Sequence, residues 1–246
     1  MGRKLGQHFL VRQSILRRIA EAVCPESCDL AVEIGPGKGA LTEHLLSRTP
    51  RLVAIEVDSS LIEPLRRRFS SFPGLEILHA DVLKTDLSQW GAVTVAGNLP
   101  YYITSPVIEK VLALGPLLRH AVFLIQKEVA DRITAQPGSR AYGYLTVQTQ
   151  LLSEARTLFR VPPSAFRPPP KVDSAVIRLT PRPEALVSDT GAFLRFASFC
   201  FRQKRKTLRN NLVAVYPSIA DQPESGQRAE QLSVEQLLDL HDRLTR

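Results

Sequence analysis

Three glycines at positions 35, 37 and 39 follow the apolar run Leu30-Ala31-Val32-Glu33-Ile34 and lead into the helix-period segment Leu41-Thr42-Glu43-His44-Leu45-Leu46. Strand, glycine turn and helix in that order make the first half of a β-α-β unit, whose turn lets a ligand approach the backbone. The alternation then repeats. Leu52-Val53-Ala54-Ile55-Glu56 reads as a strand, 61–69 as a helix, and 75–78, 93–96 and 121–125 as further strands. Apolar runs of this length between helical segments predict an α/β fold with a parallel, doubly wound sheet. Its crossovers should be right-handed and its ligands should gather at the strands' C-terminal ends.

The pattern changes after residue 156. Segments 158–161 and 175–179 read as strands with no helix between them, so an antiparallel pair at the sheet edge is expected. Prolines 162, 163 and 168–170 stiffen the connection by fixing φ and removing donors. Pro181 and Pro183 mark a boundary, beyond which 193–215 and 234–244 read as helices. The expected organisation is a first domain over 1–181 and a small helical domain over 182–246.

A chain of 246 residues, 44% hydrophobic, can bury a sizeable core. No apolar stretch reaches membrane-spanning length, and no signal-type apolar block follows the charged start, so a cytoplasmic protein with no membrane partner is expected. Cys24, Cys28 and Cys200 have neither a second pair nor histidines at zinc-finger spacing, so free thiols and no metal are expected. The net charge of +8 favours a polyanionic partner. Basic residues concentrate in Arg202-Gln203-Lys204-Arg205-Lys206-Thr207-Leu208-Arg209, in Arg66-Arg67-Arg68, and around Arg3, Lys4, Arg12, Arg17 and Arg18. The triple arginine is read as a solvated helix face. In the 202–209 segment, Arg202, Lys204, Arg205, Lys206 and Arg209 are candidate phosphate contacts, against the competing reading of another solvated face.

Glu33, Glu56 and Asp81 each fall at a strand end on the rim expected to bind ligand. Glu56 stands where an acidic side chain meets a ribose diol, and Asp81 where a carboxylate can accept from an adenine amine. Gly35-x-Gly37-x-x-Ala40 also satisfies the dinucleotide fingerprint, so a nicotinamide enzyme stays open here. A pyrophosphate would favour bare helix N-terminal amides. S-adenosylmethionine has no phosphate and has ribose, adenine and cationic ends, which three carboxylates suit better.

Asn98-Leu99-Pro100-Tyr101 closes the 93–96 run on the same rim. The Asn98 side-chain oxygen and the Pro100 carbonyl can accept hydrogen bonds from an exocyclic adenine amine, aiming its lone pair at a methyl sulfonium. Tyr101 can stack on an unpaired base. A turn closed by Asn and Pro, with Tyr101 as packing, is the competing reading. Phe166, in Pro162-Pro163-Ser164-Ala165-Phe166, is a candidate second face for the base, with burial in the core as its alternative.

Taken together, these residues closely resemble the KsgA-type (RsmA) ribosomal RNA adenine dimethyltransferases. The matching segments are Gly6–Leu10, Glu33–Gly39, Asn98–Tyr101, Gln126–Glu128, Pro162–Phe166, Pro168–Ala175 and Arg202–Asn210, which run through nearly the whole chain. The resemblance implies dimethylation at N6 of two adjacent adenosines near the 3′ end of small-subunit (16S) rRNA. It implies an assembling subunit as substrate rather than naked RNA; separately, a monomer is expected. S-adenosylmethionine contacts are implied for His8, Leu10, Gly35, Glu56, Asp81 and Asn98, with Gly37 in the same turn. His8 and Tyr102 stand where many relatives carry asparagine. Erm-type enzymes, which modify large-subunit RNA, usually show Asn-Ile-Pro-Tyr and a Gly-Ser-Gly or Gly-Thr-Gly turn, so Leu99 and Pro36 favour the small subunit. A non-catalytic assembly factor with this fold is the alternative from a different class.

Overall fold

The computed structural model describes residues 8–245. Arg3, Lys4, Gly6 and Gln7, named above, lie outside the described residues. The chain divides into two compact units, Met1–Ala130 with Glu154–Pro181, and Asp131–Ser153 with Arg182–Arg246.

The first unit holds β1 (Phe9–Leu10), α1 (Gln13–Val23), β2 (Ala31–Ile34), α2 (Ala40–Leu46), β3 (Leu52–Glu56), α3 (Ser59–Arg68) and β4 (Leu75–His79). It continues through β5 (Val93–Asn98), α4 (Thr104–Leu112), β6 (Leu118–Gln126), α5 (Lys127–Ile133, which runs into the second unit), β7 (Ser153–Val161), β8 (Phe166–Arg167) and β9 (Ser174–Pro181). Seven strands form one sheet in the order β4-β3-β2-β5-β6-β9-β7. β4, β3, β2, β5 and β6 are parallel, and β9 runs antiparallel to β6 with β7 beyond it at the edge. β2 and β3 are buried along their full length and are apolar apart from Glu33 and Glu56, as expected of parallel strands covered on both faces.

The strand order reverses at β2. The chain runs outward through β3 and β4, then returns to place β5 on the other side of β2. A doubly wound sheet opens its ligand crevice at that point, beyond the strands' C-terminal ends. Gly97 makes the closing pair possible, because a Cβ there would stand 2.7 Å from the Ile34 carbonyl oxygen. β1 pairs with β8 in a separate two-stranded sheet, Leu10 opposite Phe166.

α1 lacks basic residues in its last turn, yet its carbonyls are satisfied from elsewhere in the unit. Arg178 donates to Ala22 at 2.8 Å, His120 Nε2 donates to Val23 at 2.8 Å, and Arg48 donates to Cys24 at 2.8 Å. Just beyond, Cys24 and Cys28 are joined by a disulfide, correcting the expectation of free thiols; their Cα atoms lie 5.4 Å apart, within bridging range. Cys200 is a free thiol and is buried. The triple arginine forms the last turn of α3, with Arg66 paired to Glu63 and Arg68 reaching Glu43 and the Lys38 carbonyl. No helix among the described residues is long and apolar enough to cross a membrane.

The second unit contains α6 (Tyr144–Leu152), α7 (Thr190–Cys200), α8 (Leu208–Leu212) and α9 (Val234–Thr245). Its core joins Tyr142, Val147 and Leu151 to Phe193, Leu208 and Leu237. Segment 131–153 therefore packs with the C-terminal residues, not within the first domain where the sequence pattern places it. Its buried side chains have their apolar partners in the 193–240 region. The helix expected over 193–215 is also broken, into α7 and α8. Thr207 caps α8 by accepting from the Asn210 N–H, and the residues between turn around the Asn211 side chain.

Candidate active site

A cavity of about 320 Å³ opens at the sheet's reversal point, large enough for a small-molecule ligand. β2, β3, β5 and the turn after β4 all send residues to it. The glycine turn follows β2 with φ of 68° at Gly35 and 58° at Gly37, values that L side chains rarely adopt. A Cβ on Gly37 would also stand 3.0 Å from the Phe9 ring.

Glu56, at the end of β3, holds this turn. Its carboxylate is 3% exposed and accepts from the Gly37 N–H at 3.0 Å through Oε2 and from the Asp58 N–H at 2.9 Å through Oε1. Each oxygen keeps a lone pair for a further donor, which suits a ribose diol. Asp81 lies just past β4, accepts from the Leu83 N–H at 2.9 Å, and also lines the cavity. Glu33, on β2, is 1% exposed and accepts from the Thr42 hydroxyl at 2.6 Å. Burial pushes its carboxyl up to about 7; the Thr42 hydrogen bond pulls it down and the Glu56 charge raises it further. Three acidic side chains on one cavity are the acceptor set that a ligand with hydroxyls, an amine and a cationic centre requires.

Asn98 ends β5 and donates from Nδ2 to the His8 carbonyl oxygen at 3.1 Å. A main-chain carbonyl can only accept, so the amide must turn its NH₂ that way and its oxygen, an acceptor, the other. Leu99 is buried, 1% exposed, and its N–H donates to the Leu124 carbonyl at 3.1 Å. It fixes the turn and presents no polar group to a substrate. The Pro100 carbonyl already accepts from the Ile103 N–H at 3.1 Å and the Thr104 hydroxyl at 3.3 Å. Both its lone pairs are engaged, so Asn98 Oδ1 is the acceptor with capacity for an incoming amine. Tyr101 stacks loosely on His8, with centroids 6.0 Å apart and planes at 27°, and its hydroxyl reaches Ser174 Oγ at 3.3 Å.

His8 and Leu10 also line the cavity. His8 Nδ1 donates to the Pro168 carbonyl at 2.8 Å, since that partner only accepts. Phe166 does not reach the site. It is 1% exposed and packed with Leu10, Ile15, Leu16 and Val176, so the second stacking face read from the sequence is corrected: the ring belongs to the core. Sequence reasoning missed Thr42 as the partner of Glu33, and Phe9 as the wall of the glycine turn. The Glu33–Thr42 spacing of nine residues, strand end to first helical turn, is the signal that could have revealed the first.

The basic segment belongs to the second unit. Arg202, Arg205, Lys206 and Arg209 are exposed, and their side chains make no ion pair or hydrogen bond among the described residues. Lys204 differs: its ammonium donates to the Arg140 carbonyl and lies 3.7 Å from Glu230. The turn that presents them is pinned by Asn211, whose amide donates to the Cys200 and Gln203 carbonyls and accepts from the Gln203 N–H. Among the described residues no cluster of three or more His, Cys, Asp or Glu side chains could hold a metal ion.

A family model of the ribosomal RNA adenine dimethylases matches residues 1–246. The chain belongs to the ribosomal RNA adenine dimethylase family. Curated relatives include the ribosomal RNA small subunit methyltransferase A of Acidobacterium capsulatum, 44% identical over 96% of this chain and 89% of that protein. The protein of the same name from Xanthomonas axonopodis pv. citri is 44% identical over 97% and 94%. Among solved structures, a dimethyladenosine transferase from Plasmodium falciparum superposes with a TM-score of 0.81 at 28% identity, covering 95% of this chain and 96% of that one. The 23S rRNA methyltransferase ErmE does so at 0.77 and 31%, covering 97% and 100%. In this adenine dimethylase, Asn98, Glu56 and the glycine turn line one cavity.

Proposed function

We propose that this adenine dimethylase transfers methyl groups from S-adenosylmethionine to N6 of two adjacent adenosines near the 3′ end of small-subunit rRNA, within an assembling subunit. The observation that carries the reading is the polarity of Asn98. With its NH₂ held by the His8 carbonyl, its oxygen is left to accept from an amine at the edge of a carboxylate-lined cavity. S-adenosylmethionine, when bound, supplies a methyl group on a sulfonium, an electrophile strong enough for a weak nitrogen nucleophile.

The protein's residues then have distinct tasks. Glu56 and Asp81 offer acceptors to the donor's ribose and adenine, and Glu33 offers a buried carboxyl to its cationic end. Gly35 and Gly37 keep side chains out of its path, while His8 and Leu10 wall the cavity from the N-terminal side. Asn98 orients the target amine so that its lone pair, otherwise delocalised into the ring, points toward the methyl group. Tyr101 gives the base a face to lie on. The proton leaves after the nitrogen has become cationic, so no strong base is required. Arg202, Arg205, Lys206 and Arg209, with Lys204 once released from Glu230, contact phosphates and supply affinity without sequence information.

The relatives named for the small subunit match at 41–44% identity over nearly their full length, which favours that target over the large subunit. A monomer acting in the cytoplasm on a ribosomal precursor completes the reading. The test offers unmethylated small and large subunits and maps modified nucleotides by mass spectrometry. Adjacent dimethyladenosines in the small subunit alone are expected. Modification of the large subunit instead would transfer the protein to the ErmE type of activity, and no modification of either would leave a binding protein.

A further inference from the structure

The proposed site gives the target base a single aromatic face. Tyr101 is flanked by His8 and tied to Ser174, and Phe166 lies in the core. Phe9 is set against Gly37, with the Lys38 ammonium 4.9 Å from its ring centroid. Tyr102 differs from all of these. It is on the cavity's rim yet 65% exposed, the most open of the large hydrophobic side chains among the described residues. Neither its ring nor its hydroxyl has a partner among them. The backbone beneath is firm, because Ile103 and Thr104 both donate to the Pro100 carbonyl and α4 begins at Thr104.

At the rim and 65% exposed, the ring presents most of its surface to solvent rather than to the cavity in which Asn98 would hold a base. It is well placed for the next base along the strand. A single exposed tyrosine needs no explanation in general, but this one adjoins the residue that grips the target. An aromatic platform recognises any unpaired base by its π face, and a phenol leaves its hydroxyl in water while stacking.

We propose that Tyr102 is the stacking platform for the unpaired nucleobase that flanks the target adenine, holding it outside the cavity while the target lies against Tyr101. The inference rests on the RNA-methylation reading and adds a substrate-binding residue to it. With two adjacent adenosines as substrate, the flanking base is the other adenosine, so the same contact sets the strand's register when each is presented.

The test compares wild type with Tyr102→Ala and Tyr102→Phe, using small subunits reconstituted with a synthetic 3′ rRNA segment. One segment carries 2-aminopurine at the flanking position and another at the target position. Stacking quenches this fluorophore. Wild type and Tyr102→Phe should quench the flanking probe, Tyr102→Ala should not, and the target probe should respond alike in all three. KM for the subunit should rise about five- to a hundred-fold in Tyr102→Ala only, with S-adenosylmethionine affinity unchanged because the side chain is exposed and outside the core. Unchanged KM and unchanged flanking quenching in Tyr102→Ala would overturn the proposal, as would an effect confined to the target probe. A wild-type enzyme that methylates no small subunit overturns the proposed function itself, and this inference with it.

Discussion

The side-chain amide of Asn98 donates to the main-chain carbonyl of His8 across 3.1 Å and ninety residues of sequence. That bond ties the N-terminal wall of the cavity to the end of β5 and fixes which end of the amide faces a substrate. Asn98→Asp tests both effects, because a carboxylate cannot donate to the His8 carbonyl and would face it with like charge. Methyl transfer should fall by about 10²–10³ in kcat, the scale of losing one oriented polar group at a reacting centre. Asn98→Ala should lose activity similarly. Circular dichroism of both should remain native, and an Asn98→Asp enzyme with normal turnover would remove the amide from the chemistry.

Glu33 predicts a pH dependence of stability in the ligand-free protein. Its folded-state carboxyl titrates near 7 against an ordinary 4.5, so the folded chain holds a proton that the unfolded chain releases. Stability from this group is complete below pH 4.5 and is lost as pH rises through about 7. Glu33→Gln should remove that loss, stabilising the protein at pH 8 by up to about 3 kcal/mol. His120 acts with the opposite sign. Burial and the neighbouring Arg178 lower it below its ordinary 6.5, so its contribution is present above that pH and lost as pH falls through the folded value. Urea midpoints from pH 5 to 8 for wild type, Glu33→Gln and His120→Gln would separate the two.

Phe166→Ala should behave as a core mutation. Removing a ring that is 1% exposed should destabilise the first unit by about 3–5 kcal/mol. A loss of RNA turnover at full thermal stability would return the ring to the substrate.

The basic turn should act through counterions. Replacing Arg202, Arg205, Lys206 and Arg209 with Gln should lower the slope of log binding constant against log salt by about 0.7–0.9 for each phosphate no longer neutralised. Lys204→Gln should have a smaller effect, since its ammonium already lies against Arg140 and Glu230. Asn211→Ala should cost about 1–3 kcal/mol of stability by leaving the turn's carbonyls without their donor. An unchanged salt slope in the fourfold variant would detach this surface from RNA.

The parallel sheet was legible in the sequence because buried strands are continuous apolar runs, and 52–56 reads as a strand over the same residues that form β3. The glycine turn and Asn98-Leu99-Pro100-Tyr101 were legible because their chemistry needs those residue types in unbroken order. Local pattern could not show whether Phe166 faces a ligand or a core, since a ring in a proline-rich segment carries no periodicity. Nor could it show that 131–153 packs with the C-terminal residues, or that 201–207 would break a helix, because both depend on partners far along the chain. The sequence by itself determined the fold class, the rim of the sheet and most of the acidic and glycine positions that line its cavity. Tertiary structure decided the rest: the His8 carbonyl orients Asn98, burial lifts Glu33, and Tyr102 stays in solvent while Phe166 does not. Residue type and short-range spacing specify local geometry and chemistry, whereas orientation, desolvation and exposure are properties of neighbours that only folding brings together.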